Sequence, residues 1–137
     1  MKTVLAMGTF DMLHPGHLHY LEEAKKHGDR LVVVVARDET AAKERKQKPV
    51  VHEKDRLRLV QQLRVVDKAV LGNVGDKLAI VEKVKPDVIC LGYDQHINAQ
   101  ELEKELLKRG LQINVVRLTA FKENLYKSSI LKKTEFL

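Results

Sequence analysis

The sequence predicts an α/β fold: a doubly wound parallel sheet of five strands with helices on both faces. Apolar segments alternate with amphipathic segments at near-regular spacing along the 137 residues. Residues 31–36 form a continuous, valine-rich apolar run, which is typical of a strand covered on both faces. Strand–helix alternation of this kind favours parallel strands joined by helical crossovers. Because no repeat, linker or low-complexity segment interrupts the pattern, we expect one domain over residues 1–137.

The individual elements follow from the apolar periodicity and from the residues that punctuate it. Strands are predicted at residues 3–7, 31–36, 68–71, 87–91 and 112–116. Helices are predicted at residues 15–27, 54–63, 76–84, 99–109 and 128–136. Gly28 ends the first helix and Pro86 ends the third, since proline cannot continue a helix. The charged segment 37–47 is expected to be mobile.

The composition limits the classes of function. The net charge is +6, but only residues 43–48 form a dense basic cluster, and the chain has no tryptophan. Nucleic-acid binding is therefore not expected, because a continuous basic face and aromatic platforms are both missing. The positive charge suits a polyphosphate substrate as well as an ordinary solvated surface.

Cysteine usage and hydropathy bear on location. Cys90 lies in an apolar run and is expected to be a buried, inert thiol. A single cysteine excludes an internal disulfide and a four-cysteine zinc site. The longest apolar run, residues 31–36, is far shorter than the ~20 residues that cross a membrane. The first residues leave no room for a signal peptide, so we expect a cytoplasmic protein with no membrane partner.

The segment from Gly8 to His17 carries the chemistry. The familiar phosphate loops GxGxxG and GxxxxGK[ST] are absent, and the first predicted strand runs instead into Gly-Thr-Phe-Asp and then His14-Pro15-Gly16-His17. Pro15 suits the first turn of a helix. His14 and His17 therefore lie three positions apart at a helix N-terminus, on one face. The free N–H groups and positive dipole end of such a terminus attract phosphate, and Gly8 would allow a ligand to approach the backbone.

The two histidines are open to other interpretations. Taken alone, His14 and His17 fit a phosphate site, half of a metal site or two ordinary surface histidines. The preceding Gly-Thr-Phe-Asp, at a strand end, favours phosphate. His19, Tyr20 and His27 lack this context and are predicted to be ordinary helix residues.

The segments Gly8-Thr9-Phe10-Asp11 and His14-Pro15-Gly16-His17 together resemble the cytidylyltransferase-like nucleotidyltransferases, which are relatives of the class I aminoacyl-tRNA synthetases. The resemblance extends over essentially the whole chain and implies a Rossmann-like fold of the nucleotidyltransferase type. Further matching segments are Arg37-Asp38-Glu39-Thr40, Arg56, Val66-Asp67-Lys68, Gly92-Tyr93-Asp94-Gln95 and Ser128-Ser129.

A second set of segments narrows the resemblance: Val35-Ala36-Arg37-Asp38-Glu39-Thr40, Lys48-Pro49, Asp67-Lys68-Ala69-Val70-Leu71-Gly72, and Lys85-Pro86-Asp87-Val88-Ile89 running into Leu91-Gly92-Tyr93-Asp94-Gln95. In these segments the chain is most similar to the archaeal FAD synthases, which are FMN adenylyltransferases. The resemblance implies transfer of AMP from ATP to the phosphate of FMN, giving FAD and pyrophosphate. A glycerol-3-phosphate or sugar-phosphate cytidylyltransferase is the alternative, although segment 122–127 departs from the Arg-Thr-Glu-Gly pattern of that group. A non-catalytic nucleotide-binding module is a further alternative.

The resemblance also implies roles for individual residues. His14 and His17 would be catalytic, holding the α-phosphate, and Pro15 and Gly16 would lie between them at the nucleotide. Thr9 and Phe10 would contact the nucleotide through the loop, and Asp94 would bind its sugar or base, unless Asp94 is only a turn residue. Ser128 and Ser129 would hold pyrophosphate, or one of them would cap the last helix.

The remaining expectations concern charged residues, the metal and assembly. Asp11 is expected to be a structural acceptor that orients the loop rather than a base. Lys43, Lys46 and Arg56 are phosphate-clamp candidates, although the two lysines also fit a solvated charged loop. No protein-bound metal is expected, and Mg²⁺ would bridge the triphosphate through substrate oxygens. By analogy alone we expect a homodimer.

Overall fold

Five parallel strands form one sheet in the spatial order β3-β2-β1-β4-β5. The computed structural model describes residues 1–119. The strands are β1 (Thr3–Gly8), β2 (Arg30–Val35), β3 (Lys68–Leu71), β4 (Val88–Leu91) and β5 (Asn114–Arg117). The helices are α1 (Pro15–Lys25), α2 (Asp38–Arg45), α3 (Glu53–Gln61), α4 (Ala79–Val84) and α5 (Ala99–Lys108). The predicted α/β class, the all-parallel sheet and its five strands are confirmed.

The side chains of β1 alternate between two hydrophobic cores, one on each face of the sheet. Val4 and Ala6 face the core that includes Leu21 of α1 and Val60 of α3. Leu5 faces the opposite core, which contains residues of α4 and α5 such as Leu106. Burial of a leucine side chain stabilises the folded state by about 1.5–3 kcal/mol. Because β1 contributes buried side chains to both cores, the helix layers on the two faces pack against the same central strand.

The structure corrects the prediction for the charged segment 37–47, which was expected to be mobile. Residues 38–45 form α2, whose single buried residue is Ala41. Two acidic residues in the first turn suit the helix dipole, and Lys46 ends the helix in a left-handed conformation, at φ 60°. One small buried residue is too weak a periodic signal to reveal a helix. Elsewhere β3 matches its prediction, α4 begins at Ala79 rather than 76, and the predicted helix 128–136 lies outside the described residues.

The sheet order reverses at β1, which lies between β2 and β4. Pairing of β1 with β2 continues to Gly8, whereas pairing with β4 ends where Ala6 faces Cys90. At Met7, two side chains take the place of β4 as hydrogen-bond partners. The backbone N–H of Met7 donates to the Tyr20 hydroxyl at 3.3 Å, and its carbonyl accepts from Gln95 Nε2 at 2.8 Å. The strands therefore part at their carboxyl ends, and ligands bind in the crevices that such reversals create.

Candidate active site

The site begins with the N-terminus of α1, which two histidines cap reciprocally. His14 is the N-cap residue in an extended conformation, and its Nδ1 accepts the N–H of Gly16 at 3.0 Å. His17 Nδ1 accepts the N–H of His14 at 3.2 Å. Pro15 occupies the first turn, where its missing N–H costs nothing. The pair thus forms a capping box in which imidazoles take the places of the usual hydroxyl and carboxylate.

The two caps fix which nitrogen carries the proton. A neutral imidazole has one N–H and one acceptor nitrogen, so an Nδ1 that accepts leaves the proton on Nε2. The two rings lie with their centroids 4.0 Å apart and their planes tilted by 31°. The arrangement therefore presents two neighbouring Nε2–H donors beside the positive end of a helix.

Both histidines are neutral near pH 7. Burial lowers the pKa of His14 below its ordinary value. Burial also lowers the pKa of His17 to about 4, with a further contribution from His14 and partial opposition from the carboxylates of Asp94 and Asp11. The site donates hydrogen bonds without itself carrying an imidazolium charge.

Arg56 holds the loop before the histidines in place from the protein interior. Its side chain is 0% exposed, and its guanidinium donates to the carbonyls of Thr9 at 2.7 Å, Ala36 at 2.8 Å and Val51 at 2.9 Å. Nη2 also pairs with Asp38 at 2.7 Å. These partners correct the expectation of a phosphate clamp: a fully buried guanidinium committed to four protein acceptors does not face a substrate.

Asp11 ties the same loop to the segment that precedes α3. Its carboxylate accepts the N–H groups of Val50 and Val51, each at 2.9 Å, and lies 3.7 Å from Arg45. Burial alone would raise the pKa of Asp11, but the amides of Val51 and Val50 and the charge of Arg45 outweigh it and hold the pKa below its ordinary value. Asp11 is therefore the structural acceptor that the sequence predicted.

Phe10 points into the core rather than toward a ligand. Its side chain is 4% exposed, and its ring fills the space beside Gly8, where a Cβ would lie 2.9 Å from the ring. The Phe10 ring therefore gives a structural reason for a glycine at position 8, and the approach of a ligand to the Gly8 backbone stays a prediction. Phe10 retains only its backbone, and Thr9 its half-buried side chain, for contact with a nucleotide.

The loop after β4 forms the other wall. Asp94 is exposed there and acts electrostatically on His17. Gln95 anchors the loop by accepting the N–H of Gly92 at 3.0 Å while donating to Met7. Arg117 donates to the carbonyls of Gly92 at 2.9 Å and Gln95 at 2.7 Å. Asp94 therefore lies near enough to His17 to act on it, and its contact with a nucleotide stays a prediction.

The predicted lysines lie farther out. Lys43 is on α2 with its side chain 74% exposed and pairs loosely with Glu39 at 3.8 Å. Lys46 is exposed at the end of the same helix. Ser128 and Ser129 lie outside the described residues. Within residues 1–119 no group of three or more His, Cys, Asp or Glu side chains forms a metal site.

Two residues of this site were missed by the sequence reasoning. Tyr20 was predicted to be an ordinary helix residue, yet its buried hydroxyl donates to the carbonyl of Cys90 at 2.6 Å and joins β1 to β4. Burial raises the pKa of Tyr20 well above its ordinary value. Gln95 was noted only as part of a motif. Their partners lie 70 and 88 residues away in sequence, so local periodicity contains no signal for them.

A family model described as cytidylyltransferase-like matches residues 5–134. The chain belongs to this family. It is a nucleotidyltransferase. The capped histidine pair lies beyond the carboxyl end of β1, and open α/β sheets generally bind ligands outside the carboxyl ends of their strands. No helix among residues 1–119 is long and apolar enough to span a membrane.

Curated relatives match most of the chain. A FAD synthase from Archaeoglobus profundus is 50% identical over 129 residues, 94% of this chain and 82% of the relative. A FAD synthase from Ferroglobus placidus is 52% identical over 88% of this chain and 78% of the relative. One from Thermoplasma volcanium is 48% identical over 97% of this chain and 93% of the relative.

Solved structures give the same fold. A crystal structure from Thermoplasma volcanium, described as a lipopolysaccharide core biosynthesis protein, superposes with a TM-score of 0.85 at 49% identity, covering 88% of this chain and 98% of that one. A pantoate–β-alanine ligase from Francisella tularensis superposes with a TM-score of 0.65 at 15% identity, over 98% of this chain and 66% of that chain. The second likeness concerns the fold alone.

Proposed function

We propose that this protein transfers the AMP moiety of ATP to the phosphate of FMN, giving FAD and pyrophosphate. The observation that carries the proposal is the pair of fixed Nε2–H donors at the N-terminus of α1, in a chain about half identical to curated FAD synthases over most of its length. The donors suit attack at a nucleotide α-phosphate, and the relatives indicate ATP and FMN.

The reaction needs no nucleophile from the protein. An oxygen of the FMN phosphate attacks the α-phosphorus of ATP in line, the bond from that phosphorus to the bridging oxygen of the β-phosphate breaks, and pyrophosphate leaves. The transition state spreads negative charge over the equatorial oxygens, where the Nε2–H groups of His14 and His17 would donate beside the positive end of the α1 dipole. Cys90 is no competing nucleophile, because burial raises its pKa to about 11 and the side chain is fully buried.

The other predicted residues complete this proposal. The loop of Thr9 and Phe10 would contact the nucleotide through its backbone, and Asp94 would bind the sugar or base from the opposite wall. Ser128 and Ser129 would hold the departing pyrophosphate. Lys43 and Lys46 would attract the polyphosphate from the rim, whereas Arg56 acts on the loop from within.

Mg²⁺ would enter as part of the ATP substrate. Members of this enzyme class typically use a divalent metal, and we expect the ion to be held mainly by phosphate oxygens of the substrate. The cytoplasmic location, the single domain, the homodimer and the absence of a nucleic-acid partner stay predictions.

A second candidate acceptor is a sugar phosphate. The Thermoplasma volcanium structure, 49% identical to this chain, is described as a lipopolysaccharide core biosynthesis protein, whereas the curated relatives are described as FAD synthases. We favour FMN, because curated relatives from several organisms agree on it at similar identity. Cytidylyl transfer to glycerol 3-phosphate is the other alternative.

The substrate pair is tested by offering the purified protein ATP or CTP with Mg²⁺ against FMN, glycerol 3-phosphate and sugar phosphates. Pyrophosphate release and the chromatographic appearance of FAD, with ATP and FMN only, is the expected result. Turnover restricted to CTP with glycerol 3-phosphate or a sugar phosphate would overturn the choice of acceptor. Binding of nucleotide without pyrophosphate release from any pair would indicate a non-catalytic module.

A further inference from the structure

Phe10 adopts a backbone conformation that a glycine would adopt more readily. Its φ is +56°, in the left-handed region, and yet its large side chain is 4% exposed. Non-glycine residues in this region are uncommon, and they persist where the surrounding structure holds them, often at functional sites. The loop therefore carries an aromatic residue at a position where the backbone conformation favours glycine.

The ring of Phe10 contacts two rings of α1. It meets His17 edge to face, with centroids 5.6 Å apart and planes at 62°. It also stacks on Tyr20, with centroids 6.4 Å apart and planes at 19°. Gly8 leaves room for the Phe10 ring, since a side chain at position 8 would collide with it. His17, Phe10 and Tyr20 thus form a continuous aromatic column.

Tyr20 fixes the base of this column to the sheet. Its buried hydroxyl donates to the carbonyl of Cys90 on β4 and accepts the N–H of Met7 on β1. These contacts lie where the two strands part. Through Tyr20, the position of the Phe10 ring therefore depends on β1 and β4 as well as on α1.

We propose that Phe10, supported by Tyr20, is a positioning residue that holds the His17 ring with its Nε2–H directed at the substrate phosphate. The capping hydrogen bond from His14 holds one edge of the His17 ring, but a single hydrogen bond does not by itself prevent the ring from rotating out of the cap. The edge-to-face contact with Phe10 removes that freedom. The role rests on the proposed nucleotidyl transfer, in which His17 is the donor.

The first test is Phe10→Leu, which keeps an apolar side chain but removes the flat ring. We expect kcat to fall about 10- to 100-fold, as for a slightly misplaced catalytic group, with a smaller change in KM for ATP. The matched control is Leu106→Ala, in the core on the opposite face of the sheet, assayed well below the unfolding temperature of both variants. The control lowers stability and should leave kcat within about twofold, because distant sites act independently.

The second test needs no turnover, so it remains informative even if the proposed reaction is wrong. Nitrogen NMR of isotope-labelled histidine reports tautomer and pKa. In the unaltered protein His17 should be the Nε2–H tautomer and remain neutral well below the ordinary histidine pKa. Phe10→Leu should give a mixture of His17 tautomers and raise the pKa of His17. The titratable neighbours of His17, which are His14, Asp94 and Asp11, are the same in both proteins.

Variants of Tyr20 keep the proposal falsifiable if Phe10→Leu does not fold. Tyr20→Phe keeps the stacked ring but loses the hydroxyl anchor, and it should disturb the His17 tautomer less than Tyr20→Leu, which removes both. A folded Phe10→Leu or Tyr20→Leu protein with an unchanged His17 signal would overturn the positioning role. A kcat within threefold of the unaltered protein would overturn it as well, in either variant.

Discussion

The histidine loop, residues 8–17, and the lysine segment, residues 43–48, differ in how firmly the structure holds them. In the histidine loop the carbonyl of Thr9, the carboxylate of Asp11 and both imidazole Nδ1 atoms have protein partners. In the lysine segment the partners described are looser: Lys43 is mostly exposed and pairs with Glu39 at 3.8 Å, and Arg45 lies 3.7 Å from Asp11. Both segments were predicted to handle phosphate.

The difference separates two ways of binding the same group. Donors that stabilise a transition state act best when they are fixed in advance, because they then need no reorganisation during the reaction. Charges that attract a substrate act over longer distances and tolerate motion. We therefore assign transition-state stabilisation to the histidine loop and attraction of the polyphosphate to the lysine segment.

Removing the support of the histidine loop should give the largest effect. Arg56→Met takes away four hydrogen bonds and leaves Asp38 and three carbonyls without their donor. Asp38 is 26% exposed and keeps the N–H of Glu53 as a partner, so the loss comes chiefly from the carbonyls, each of which costs about 1–3 kcal/mol in the free energy of unfolding when it is buried without a donor. Chemical denaturation measures the loss, and Arg58→Met, an exposed arginine on the same helix, is the control. Equal stability of the two variants would show that Arg56 does not hold the histidine loop in place.

The histidines themselves should make folding sensitive to acid. His17 is neutral in the folded protein, with a pKa of about 4, but titrates near 6.5 when unfolded. The unfolded state therefore binds more protons between these values, and stability present above pH 6.5 is lost as the pH falls toward 4. The contribution of His17 is at most about 3 kcal/mol.

His17→Gln isolates that contribution, because glutamine does not titrate. Urea denaturation at about pH 7 and about pH 4.5 should show a larger loss of stability in the unaltered protein than in the variant. The carboxylates contribute equally to both proteins. If the two proteins lose the same stability, the burial argument for His17 is wrong.

The lysine segment should give the smallest effect. Lys43→Ala should raise KM for ATP by about two- to fivefold, the effect of an exposed charge interaction, with kcat unchanged. The increase should disappear at high salt, because exposed charges are screened. A fall in kcat equal to that of a histidine variant would contradict the division between the two segments.

The sequence predicted the framework well, for identifiable reasons. Continuous apolar runs and terminal glycines placed the strands, and β3 matched its predicted bounds. The spacing of His14 and His17 placed both at the N-terminus of α1. These features depend on neighbours a few residues apart, which periodicity detects.

The contacts that hold the site were not predictable in the same way. Arg56 reaches Thr9 across 47 positions, and its burial depends on tertiary packing. One local signal existed: Arg56 precedes Val60 by four residues and so lies on the inward face of α3. For Phe10 the signal was Gly8, a missing side chain two residues before a large ring.

The most direct test of the account compares His17→Gln with His17→Asn and His17→Ala. Glutamine can place an amide N–H near the position of Nε2, whereas asparagine can only replace Nδ1 as the cap acceptor. Alanine should lower kcat about 10²–10³-fold, as for loss of one transition-state donor, while His27→Ala should not. We predict that glutamine retains more of the kcat than asparagine. Equal activity in the two, or greater activity in asparagine, would contradict a catalytic Nε2–H donor.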